Sequence, residues 1–191
     1  MPRLQSGERP FTIEDLLARE QIKDVIYRYC RALDRNDRDL ALSCYHSDGT
    51  DDHGRMYSGS ATGFIDWVWP VHADMLSTRH MISNILIEQH DADHAAAESY
   101  AHLILRVRNA GKVYDCYFYS RYVDRFDRVD GIWRIRHRTQ VRDFQRYEEV
   151  IEGYDALPGN AVPFTPNNPE ATPAVAARDE TDPSFAVLHA R

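Results

Sequence analysis

Two polar residues stand where the hydrophobic pattern calls for something else. Asp34 ends the apolar stripe of a predicted first helix, directly after Leu33, and His80 enters a predicted strand two residues before Ile82, in Thr78-Arg-His-Met-Ile-Ser-Asn84. An imidazole beside a carboxylate binds its proton more tightly and is held in one tautomer, which makes it a competent general base. If the fold joins the two, the chemistry on offer is removal of a proton from carbon. Each residue also has a plain structural use. Asp34, followed by Arg35-Asn36-Asp37, can end one helix and cap the next, and a strand histidine can simply be hydrogen-bonded in the core.

His46, Asp48, Asp51, Asp52 and His53 form a second polar cluster, and His90 and His94 have helical ligand spacing. That spacing means little in a tight turn, where positions i and i+4 do not share a face. No thiolate joins either group and there is no HExxH motif. Turn and cap chemistry accounts for the same residues, so neither a metal nor another cofactor is expected. Asp52 and His53 can instead rim a pocket mouth. Tyr57, Phe64, Trp67, Trp69, Tyr100, Tyr117 and Tyr119 supply an aromatic lining suited to a ring-shaped ligand. Arg134, Arg136, Arg138 and Arg142 alternate along the last predicted strand, with Asp115 and Asp124 as partners. One of these arginines, turned inward, would bind an anionic or carbonyl group.

The elements that must position these residues follow from periodicity. Thr12 reads as an N-cap, and Ile22, Ile26, Tyr29, Cys30 and Leu33 then recur at helical spacing as far as Asp34. Asp37 can cap a short second helix through Tyr45, and the polar, glycine-punctuated stretch 47–55 reads as a loop. Ser60 opens a third helix carrying Phe64, Trp67, Val68 and Val71, which Pro70 should kink or end. Four strand-like runs follow, Thr78–Glu88, Ala95–Arg108, Val113–Phe126 and Ile132–Phe144, separated by turn-forming segments. The pattern predicts helices first, then an antiparallel meander.

The chain has 191 residues, 43% hydrophobic and 28% charged, which suits one globular domain with a real core. A net charge of -7 argues against a nucleic-acid surface. No apolar run approaches membrane-span length, and no signal-peptide core precedes Glu8. Cys30, Cys44 and Cys116 are odd in number and lack motif spacing, which fits reduced thiols in the cytoplasm. Residues 1–11 read as an N-terminal arm and 12–150 as the folded domain. Residues 151–191, with six prolines from Pro158 to Pro183, read as a tail that is either disordered or wrapped on a neighbouring subunit.

Tyr27-Arg-Tyr-Cys-Arg-Ala-Leu-Asp-Arg35, Cys44-Tyr-His-Ser-Asp-Gly49 with Asp52-His-Gly54, Arg79-His-Met-Ile-Ser-Asn84 and Asp130-Gly-Ile-Trp-Arg-Ile135 resemble, in this order, the SnoaL-like branch of the nuclear transport factor 2-like superfamily. The resemblance covers residues 10 to 147 and extends to the scytalone dehydratases, hexachlorocyclohexane dehydrochlorinases and bile-acid 7α-dehydratases. It implies an α+β fold, a cone-shaped barrel with N-terminal helices packed on a strongly curved, mostly antiparallel sheet. It also implies a homo-oligomer, a trimer before a dimer, that needs no metal. By position, Asp34 and His80 match that family's catalytic aspartate and histidine, and Tyr29 matches the helix tyrosine of the bile-acid enzymes. The family's last-strand arginine falls on Arg138 or Arg142, and a further strand polar group falls near His102. The dehydrochlorinase lysine has no counterpart, since Lys23 is too far from Asp34.

The activity implied is a metal-free elimination of the dehydratase type, or an isomerisation, on a small apolar cyclic metabolite of steroid, polyketide or aromatic kind. His80 would take the proton, Asp34 would orient it, and Tyr29 or an arginine would hold the leaving oxygen or a developing enolate. The competing expectation is a non-catalytic binding or accessory protein, such as a ring-hydroxylating dioxygenase β-subunit, because this fold hosts many functions.

Overall fold

The structure, a computed structural model, describes residues 10–150, 170 and 176–188. Helix α1 (Ile13–Asp34) starts at a reciprocal cap. The Asp15 amide donates to the Thr12 hydroxyl at 3.1 Å, and the Thr12 amide donates to the Asp15 carboxylate at 2.8 Å. Its stripe of Ala18, Ile22, Ile26, Tyr29, Cys30 and Leu33 is buried. The helix stops at Arg35 because Asn36 turns left-handed (φ 52°), a conformation that asparagine tolerates. Asp37 then caps α2 (Arg38–Ser43), accepting from the Leu40 amide at 3.0 Å.

The stretch expected as a loop is largely strand β1 (Tyr45–Asp52). Its polar composition signals a turn, but its backbone pairs parallel with the last strand and antiparallel with β2 (Ser58–Ser60), and that pairing prevails. Gly49 serves a close approach here: a Cβ would meet the His46 carbonyl oxygen at 2.9 Å and that of Ile135 at 3.1 Å. Helix α3 (Ala61–Ala73) starts on the Ser60 hydroxyl and runs through Pro70. The helix continues only three residues past Pro70, which supplies no N–H for the Asp66 carbonyl one turn earlier.

Strands β3 (Ser77–Gln89), β4 (His94–Asn109), β5 (Lys112–Val129) and β6 (Ile132–Glu149) form the expected meander, and β6 runs five residues beyond its predicted end. The sheet order is β2-β1-β6-β5-β4-β3, antiparallel except for β1 against β6. This is the expected α+β architecture of N-terminal helices on a curved, mostly antiparallel sheet, and the six-stranded sheet is open, with edges at β2 and β3. A bulge interrupts β3 between Ser83 and Leu86, where Asn84 is left-handed (φ 48°). Pro183, expected to break structure, instead opens a short helix α4 (Pro183–Leu188), the position where a proline's missing N–H costs least. The three cysteines are free and buried. Among the described residues no helix is long and apolar enough to cross a membrane. The parts of the expected N-terminal arm and tail at 1–9, 151–169, 171–175 and 189–191 lie outside the described residues.

Candidate active site

Asp34 is the last residue of α1 and His80 the fourth of β3, and α1 lies against that strand. His80 Nδ1 is 2.7 Å from Asp34 Oδ1, and the His80 backbone N–H donates to Asp34 Oδ2 at 3.0 Å. The Thr78 hydroxyl donates to Asp34 Oδ1 at 3.1 Å. Both carboxylate oxygens are thus engaged by one strand, which fixes the carboxylate and sets the proton of the imidazole on Nδ1. Nε2 is left as the basic nitrogen and has no hydrogen bond among the described residues. The His80 side chain is 1% exposed and that of Asp34 16%. Both line a cleft of about 280 Å³ with Tyr27, Cys30, Arg31, Arg35 and Ile82.

His72, the next-to-last residue of α3, lies beside His80 with ring centroids 6.0 Å apart. Burial, then electrostatic coupling to His80 and to the Arg178 charge, pushes its pKa down to about 3. His72 is therefore a neutral neighbour, and its Nδ1 is buried without a partner among the described residues.

A second carboxylate–imidazole pair lies at the end of β1. Asp51, 1% exposed, accepts from the Tyr45 hydroxyl at 2.5 Å and sits 2.5 Å from His53 Nδ1. The His53 ring stacks on Phe64 at 4.3 Å, and Tyr57 and Trp67 pack around Phe64. Tyr57, Phe64 and Trp67 thus form one aromatic group at His53, none of them among the residues lining the Asp34–His80 cleft, while Trp69 packs against the core.

Several expected site residues lie elsewhere. Tyr29 is buried in a cage with Tyr45 and Tyr122, its ring 4.2 Å from the Arg138 guanidinium. Burial, with the Asp51 charge next, raises its pKa well above the ordinary tyrosine value. Arg138 is fully buried and paired with both oxygens of Asp124 at 2.8 and 2.7 Å, so its charge is already matched. Arg142 is exposed and donates to Gln145. His102, Tyr100, Tyr117 and Tyr119 are placed on the opposite face of the sheet from His80. His80 pairs with Leu103, so the inward residues of β4 are the odd ones, with Ser99 and Ala101 fully buried while Tyr100 is 38% exposed. His102 pairs with Tyr119 at 5.2 Å, and Tyr119 stacks on Phe144, which is 60% exposed. Tyr117 lies on that face under Arg146.

An open curved sheet that holds a carboxylate-bound histidine between its edge strand and two helices defines a fold class of small α+β pocket proteins. The chain belongs to the SnoaL-like domain family, whose model matches residues 14–139. A scytalone dehydratase candidate from Novosphingobium aromaticivorans superposes with TM-score 0.65 at 20% identity, covering 74% of this chain and 94% of that one. A hexachlorocyclohexane dehydrochlorinase from Novosphingobium barchaimii superposes with TM-score 0.64 at 13% identity over 73% and 94%. A Mycobacterium tuberculosis protein of unknown function superposes with TM-score 0.59 at 24% identity over 68% and 74%. These likenesses establish the fold. No curated protein matches the chain.

Thr78, His72, the pairing of Asp51 with His53, and Arg178 were not expected at a site. Thr78 is two residues before His80 and so shares its face. His72 follows Phe64 and Val68 at steps of four, the one signal that could have placed it inward.

Proposed function

We propose that this protein is a metal-independent lyase of the dehydratase type, or an isomerase using the same base, acting on a small apolar cyclic metabolite. The observation that carries the proposal is the Asp34 carboxylate on His80 Nδ1, which leaves a basic Nε2 in a nearly water-free position. Nε2 would remove a proton from carbon next to a carbonyl. The imidazolium so formed would return that proton to the β-hydroxyl as its C–O bond breaks and water leaves, or to another carbon in an isomerisation. Asp34 would stabilise the imidazolium that forms, without itself accepting the proton. Neutral His72 beside it fits this role, because a second charged imidazole would oppose protonation of His80. The dehydratase and dehydrochlorinase assignments among the structural neighbours are consistent with elimination.

The test is a panel of cyclic β-hydroxy ketones scored by mass spectrometry for loss of water or change of double-bond position. His80→Ala and Asp34→Asn are expected to remain folded and to lose about 10²- to 10⁴-fold in turnover, the share that a positioned base contributes. Full turnover in His80→Ala would remove His80 from the mechanism, whereas no turnover by the native protein across the panel would favour an accessory or binding role.

A further inference from the structure

Arg178 is separated from Asp34 by most of the chain, yet its guanidinium sits where α1 and α3 both end. Nη2 donates to the Leu33 carbonyl at 3.1 Å and to Asn36 Oδ1 at 3.0 Å, and Nε donates to the Asp34 carbonyl at 3.3 Å. Nη1 donates to the His72 carbonyl at 2.5 Å and to the Met75 carbonyl at 2.9 Å. The last carbonyls of a helix lack internal donors and carry its negative pole. One planar cation therefore satisfies two helix ends that meet over the site.

The segment carrying Arg178 is itself fastened to α1. Asp182 accepts from the Ala177 and Ser184 amides at 3.1 and 3.0 Å and lies 3.4 Å from the Arg35 guanidinium. Arg31 donates to the Ser184 hydroxyl at 3.1 Å and covers the Phe185 ring at 5.1 Å.

We infer that Arg178 is a positioning residue: it clamps the ends of α1 and α3 together and so holds Asp34 and His72 in place around His80. The inference rests on the proposed role of the Asp34–His80 pair. Asp34 is the terminal residue of α1, the position most prone to fraying, and its carboxylate is held by Thr78 and His80. Without the clamp, fraying of the last turn would withdraw the carboxylate from Nδ1. A lysine in its place would keep the charge but could not reach five acceptors spread over two helices.

The experiment uses the full chain, labelled with ¹⁵N, and reads the imidazole tautomer of His80 by long-range ¹H–¹⁵N correlation, which needs no substrate. The native protein is expected to show a protected Nδ1–H. Arg178→Ala and Arg178→Lys are both expected to lose that signal while keeping native near-UV circular dichroism. Guanidinium ion, added below denaturing concentration, should restore it in Arg178→Ala. Thr12→Ala, which weakens the far end of α1, should lower the melting temperature and leave the signal unchanged. A native Nδ1–H signal in either folded Arg178 variant would overturn the inference. If Arg178→Ala does not fold, Arg178→Lys decides alone. Because this readout is independent of turnover, loss of the signal together with full activity in His80→Ala would refute the proposed chemistry and leave the clamp standing.

Discussion

Acid should loosen this fold through His72 before it reaches the carboxylates. His72 is buried on α3, next to His80 and below Arg178, and its pKa is held down to about 3 from an ordinary 6.5. The folded state therefore refuses a proton that the unfolded chain accepts below pH 6.5. Where the unfolded state binds more protons, stability rises with pH. Stability from this group is complete above pH 6.5 and declines as pH falls through the window from 6.5 to about 3. Each pH unit inside that window is worth about 1.4 kcal/mol, so the loss at pH 5 is about 2 kcal/mol. Urea denaturation at pH 7.5, 6.0 and 5.0, followed by tryptophan fluorescence, gives the native slope. His72→Met removes the titrating group and its orphaned Nδ1 while filling a similar volume. The variant is expected to lose about 2 kcal/mol less than the native protein between pH 7.5 and 5.0, other acid-sensitive groups being common to both. Parallel pH profiles would show that His72 protonates freely in the fold, and the account of it as a neutral companion of His80 would fail.

Three further expectations concern the packing around the site. Asp124→Ala leaves the Arg138 charge buried and unmatched and should cost about 3–5 kcal/mol in urea denaturation, whereas replacing both residues by Met and Leu should cost less than the single change. Arg142→Ala removes an exposed side chain bonded to Gln145, so stability should move by no more than about 0.5 kcal/mol. Asn84→Ile forces a β-branched side chain into a left-handed position and should cost about 1–2 kcal/mol, while Asn84→Gly should be close to neutral.

That bulge also explains why much of the site was legible in the sequence and part of it was not. The α1 stripe and the alternation through β3 announced both members of the dyad, because each lies at a regular position of a strongly periodic element. The β4 and β5 aromatics were expected inside the pocket. Downstream of the bulge Gln89 pairs with Ala95 and Leu86 with Glu98, a register that would carry His80 opposite Ile104. Such pairing would leave His80 on the outer face beside Tyr100 and His102. The extra residue at Asn84 shifts the register, pairs His80 with Leu103, and turns the His80 side chain to the inner face, away from them. A left-handed asparagine inside a strand run carries no distinctive composition, so the inversion was invisible. β1 was hidden for a related reason: its residues favour turns, and only the neighbouring β6 backbone makes them a strand. Arg178 could not be anticipated, since a guanidinium bonded to helix-end carbonyls leaves no local pattern.

The engagement of both Asp34 oxygens by β3 has a stereochemical consequence. An imidazole tied at Nδ1 and flanked by a second ring cannot roll to meet a guest from another side. Nε2 then reaches only one face of any planar molecule lying against it. Of two hydrogens on a prochiral carbon, one alone should exchange with deuterated solvent, and the label should appear in a single configuration.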